Sequence, residues 1–76
     1  MNSPKEVERI VNAIKPLLAG HPPEVQGAVL ADLLAMFLAG HVGPDADTVR
    51  EDLLWFHIDL VRQLIPVNEK LQAGLQ

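Results

Sequence analysis

The chain has 76 residues, 49% of them hydrophobic and 21% charged, the composition of one globular domain and not of a disordered segment. It contains no Cys, so disulfides, thiolate metal sites and cysteine nucleophiles are excluded. Six Lys and Arg against ten Asp and Glu leave a net charge of -4, the wrong sign for holding a phosphate backbone.

The first residues, Met1 to Pro4, lack the basic stretch and apolar run of a secretory signal. Ser3 is a natural N-cap, Pro4 fits the first helical position and Glu6 sits where a capping box needs it. A helix is therefore expected over about 4–19. Its apolar residues, among them Val7, Ile10, Val11, Ile14, Leu17 and Leu18, fall in a stripe roughly 120° wide, as on a one-sided surface helix. Pro16 removes the bond to the Asn12 carbonyl and is expected to kink the last turn.

Leu18-Ala19-Gly20-His21 recurs as Leu38-Ala39-Gly40-His41, each followed within three residues by a Pro. A duplicated histidine motif is one reading. Two helix ends is the better one, because Gly takes the left-handed position after a helix without steric cost and Pro stops continuation.

The second helix is expected over 23–39, starting from His21-Pro22-Pro23-Glu24. Its large apolar residues, from Val25 to Leu38, spread over roughly 220° of the helical wheel. The remaining face holds small residues, including Ala31 and Ala35, with Asp32 among them. So apolar a helix should touch several neighbours, and the Ala face is either a site of close helix approach or an exposed face where Ala serves helix propensity. Its apolar run is too short to span a bilayer, which takes about 20 residues.

Asp45 and Asp47 precede the third helix, but the further oxygen ligands and the terminal Glu of a calcium loop do not follow. Thr48 as N-cap with Glu51 as its capping-box partner sets the expected helix at 48–65. Residues 66–73 are then either a continuation kinked at Pro66 or a short fourth helix. Continuation is favoured because Val49, Phe56, Leu60, Leu64, Val67, Leu71 and Leu75 all lie within roughly 60° of Leu53 at helical pitch.

Two residues of the third helix break its pattern. Trp55 sits in the polar sector with Glu51, Asp52, Asp59, Arg62 and Gln63, while His57 sits among Leu53, Leu54, Leu60, Val61 and Leu64. An outward Trp is a candidate interface anchor, with Asp59 and Arg62 beside it; the alternative is a ring lying over Arg62 or against a neighbouring loop of the same chain. An inward His is either a buried ring satisfied by backbone or water, or a seam residue bonded to Asp32. No His or carboxylate stands three or four residues from His57, so no metal pair forms on that helix.

Catalysis is not expected. Ser3 is the one Ser and Thr48 the one Thr, both are assigned as caps, and there is no Tyr, phosphate loop or carboxylate pair facing a cleft. Residues 21–46 carry three acidic side chains and no Lys or Arg, and the third helix is acidic, so no recognition helix for nucleic acid is present. The expected fold is all-α, a single helical domain over 1–76 with three main helices. The apolar arcs of helices 2 and 3 exceed what three helices can cover, so a homodimer with both helices in its core is expected. The expected function is a cytoplasmic, non-catalytic, self-associating interaction module that needs no cofactor and offers Trp55 and the acidic face to a larger protein. The alternatives are a ligand or metal site at a dimer seam around His57 and Asp32, or an accessory role in a larger enzyme.

Overall fold

The computed structural model describes residues 3–74. Met1 and Asn2 lie outside them, as does Leu75, the last position of the expected stripe. Three helices and no strand occur among the described residues: α1 (Pro4–Leu18), α2 (Pro23–Ala39) and α3 (Ala46–Gly74). They group into two compact units, α1 with α2 through Leu33, and α2 from Leu34 with α3.

In the first unit, the Ser3 backbone is extended and its Oγ accepts from the Glu6 amide at 3.1 Å. Glu6 turns its carboxylate to Arg9 at 3.7 Å, so the reciprocal half of the capping box is replaced by an exposed ion pair of small worth. The helix passes through Pro16 and ends at Leu18, one residue short of the expected end. Gly20 then adopts φ +84, the left-handed turn that a Cβ would oppose. α2 starts at Pro23, with the Pro22 carbonyl accepting from the amides of Val25 and Gln26. One side chain outside the sequence expectations joins the two helix ends: Gln26 Nε2 donates to the carbonyls of Leu18 and His21, both at 2.9 Å. The Leu18 carbonyl is the last of α1 and has no partner within the helix, while that of His21 belongs to the turn that follows.

The second unit departs from expectation twice. Gly40 is not left-handed: its amide still bonds the Met36 carbonyl at 3.1 Å, and the reversal falls at Gly43, φ +120. The helix uses one more amide before the chain turns, so the repeated tetrapeptides share a sequence and not a backbone. α3 begins at Ala46 and not after Thr48, because the Asp45 carbonyl already accepts from the Val49 amide at 3.0 Å. Thr48 is thus inside the first turn, and Glu51 is free of capping. Of the two readings of residues 66–73, continuation is the one seen, with no separate fourth helix among the described residues. α3 runs unbroken through Pro66 to Gly74, since Pro66 deprives only the Arg62 carbonyl of its donor while the apolar stripe stays in phase. At 29 residues it is roughly 43 Å long.

The two ends of the α2–α3 connection are held by Arg50. Its Nε donates to the His41 carbonyl at 2.9 Å and its Nη2 to the Ala39 carbonyl at 3.0 Å. The fork of the guanidinium serves at once the last carbonyl of α2, at its negative end, and one in the turn after it. Gln26 and Arg50 therefore play the same part: each reaches back from the next helix to the end of the one before.

Candidate interaction surface on α3

α3 carries different chemistry on its different faces. The half-buried side faces the end of α2 and includes Arg50, Leu53, Leu54, His57 and Ile58. The inward histidine of the sequence is met here by two kinds of contact. His57 Nδ1 lies 2.7 Å from the Leu53 carbonyl, one helical turn back. A carbonyl only accepts, so Nδ1 carries the proton. The ring meets Phe37 edge-on, centroids 5.4 Å apart at 74°, and Phe56 at 5.2 Å and 80°. His41 repeats the arrangement, with Nδ1 3.0 Å from the Phe37 carbonyl and its ring 5.1 Å from the Phe37 ring at 84°. Phe37 is thus flanked by two imidazoles, each tied to a carbonyl four residues before it. Edge-to-face contacts of this kind add to the packing of the rings.

Trp55 points outward, 54% exposed, and its indole N–H donates to Glu51 Oε1 at 2.9 Å. The polar edge of the ring is satisfied within one turn, and its apolar face is left open to solvent. Arg62 does not lie under the ring; it pairs with Asp59 at 3.7 Å, both side chains largely exposed. Trp55, Glu51, Asp59 and Arg62 therefore form an exposed, self-satisfied surface with one large apolar residue in it.

The remaining sequence candidates are on α2. Asp32 is exposed in its first part, and Ala31 and Ala35 are exposed as well. Among the described residues no three His, Asp or Glu side chains gather where a metal ion could be held. Nor is any described helix long and apolar enough to cross a membrane.

The third face of α3 is the apolar stripe found in the sequence. Of its members only Leu53 is half-buried; Phe56 is 62% exposed and Leu71 61%. Exposed large apolar side chains also line α2, from Val25 to Phe37. Among the described residues none is fully buried.

Arg50 and Gln26 are the residues that sequence reasoning missed. Their signal is weak: a long donor side chain early in a helix that follows a short turn. Compared with protein-family models, with curated proteins and with solved structures, the chain matches none.

Proposed function

We propose that the chain is a non-catalytic interaction module that self-associates through the apolar surfaces of α2 and α3 and leaves the Trp55 surface open to a larger protein. A reducing, cytoplasmic setting, in keeping with the absence of Cys, belongs to the same proposal. The observation that supports it most is the exposure of large apolar side chains on all three helices. The accessible surface is 6713 Å². A folded monomer of 8.3 kDa exposes about 4,600 Å². The excess, about 2,100 Å² per chain and so about 4,200 Å² for a pair, falls in the range that obligate homodimers bury when both subunits are counted. Trp55 is roughly 140° around α3 from Leu60, so association through the stripe leaves it outward on each copy.

The test is the thermal midpoint of the purified chain as a function of its concentration. If folding is coupled to association, a hundredfold dilution removes about 2.7 kcal/mol and lowers the midpoint by several degrees. A midpoint independent of concentration would contradict self-association as the way the apolar surface is covered.

A further inference from the structure

The α3 stripe has an order that a mere apolar face does not need. Its members, Val49, Leu53, Phe56, Leu60, Leu64, Val67 and Leu71, follow one another at spacings of 4, 3, 4, 4, 3 and 4 residues. Over these seven positions the series reads the same in both directions about Leu60; Leu75, the last position of the sequence stripe, lies outside the described residues. It also repeats every 11 residues, Val49 to Leu60 to Leu71, Leu53 to Leu64 and Phe56 to Val67. An 11-residue repeat has about 3.67 residues per turn, so helices pairing through it stay nearly straight with a slight right-handed twist.

Resting on the self-association proposed above, we infer that α3 pairs with α3 of a second copy in antiparallel orientation, with the two-fold axis at Leu60. Layers then match one to one: Leu60 on Leu60 of the second copy, Phe56 on Leu64, Leu53 on Val67, Val49 on Leu71. Charge selects this orientation over the parallel one. The first half of α3 holds Asp47, Glu51, Asp52 and Asp59 against Arg50, whose guanidinium is engaged by α2 carbonyls; the second half holds Arg62 and Lys70 against Glu69. Antiparallel pairing lays the acidic half on the basic one and opposes the helix dipoles, whereas parallel pairing stacks acid on acid.

The flank of the stripe supports the register. One flank is taken by α2, through Phe37 on His57 and the Arg50 bonds. The other carries Asp52, Asp59, Gln63 and Lys70, all exposed and at roughly 60–100° from Leu60. In a two-fold antiparallel pair a flank meets the same flank of the other copy. Asp52 then comes within two residues' rise, about 3 Å along the axis, of Lys70 of the second copy, and Asp59 within the same offset of its Gln63, each pairing occurring twice.

The experiment is a charge swap read by sedimentation equilibrium, with far-UV circular dichroism to show that each variant keeps its helices. Asp52→Lys and Lys70→Asp each place like charges together at both ends and should weaken the dimer about tenfold. The double variant restores the pairing with reversed sign and should return to within about threefold of the parent. Leu60→Asp sets two carboxylates against each other on the axis and should give a helical monomer. Single variants that leave association unchanged, a double variant weaker than either single, or a dimer that survives Leu60→Asp would overturn this register while leaving self-association standing. A parent chain that is itself monomeric would remove both.

Discussion

Replacing Arg50 by Met keeps the aliphatic stem and deletes the two bonds to the Ala39 and His41 carbonyls. A hydrogen bond to a charged group contributes about 1.5–3 kcal/mol when well shielded. Arg50 is half-buried and one of its two bonds is exposed, so about 1 kcal/mol each is the appropriate scale. The loss of a cation at the end of α2 adds a few tenths. The total, about 2 kcal/mol, is a large share of the stability of a domain this small. For this size it corresponds to a fall of about 8–16 °C in midpoint. Arg50→Lys offers one point donor instead of a fork and should lose about half as much. The assay is thermal unfolding by circular dichroism at one fixed protein concentration, with amide exchange read at Gly40 and His41. A midpoint within about two degrees of the parent for Arg50→Met would refute the claim that this side chain fastens α2 to α3.

Gln26→Ala removes two neutral bonds at the end of α1 and should cost about 1–2 kcal/mol by the same melt, less than the Arg50 change. Gly20→Ala forces a Cβ onto φ +84 and should cost about 1 kcal/mol, whereas Gly40→Ala, outside the left-handed region, should be nearly neutral; equal effects would deny the difference between the two repeats. Pro66→Ala gives the Arg62 carbonyl its donor back and should stabilise α3 by about 1–3 kcal/mol in urea unfolding. Trp55→Ala should leave the melt within a few degrees, because the ring is exposed, and should abolish retention of the larger protein in a pull-down; full retention would remove the Trp55 surface from the account.

The parts of the fold that were legible in the sequence are those set by neighbours in the chain. Ser3 capping Glu6, the start of α2 after Pro22, and the turn at Gly20 each depend on residues within four positions. Expectation failed at the start of α3: Thr48 suits an N-cap, but the Asp45 carbonyl already accepts from the Val49 amide and the helix begins at Ala46. At Pro66, which suits both a first turn and an interior position, the uninterrupted stripe already favoured the interior position that α3 shows. Gln26 and Arg50 act over 8 and 11 residues, on carbonyls whose directions exist only after the turns have formed. His57 stood out as an anomaly, but its partners did not: Leu53 is one turn away on α3, while Phe37 belongs to another helix. The outward Trp55 was legible for the opposite reason, since its position in the polar sector follows from helical pitch alone.

The apolar surface left open on α2 and α3 ties these observations to a role, and the oligomeric state tests that link most directly. Sedimentation equilibrium of the full chain from low to high micromolar concentration should give twice the chain mass at the upper end and dissociate only on strong dilution. A single species of monomer mass at every concentration would contradict the account, because Phe56, Leu60 and Leu71 would then remain in water in the folded chain.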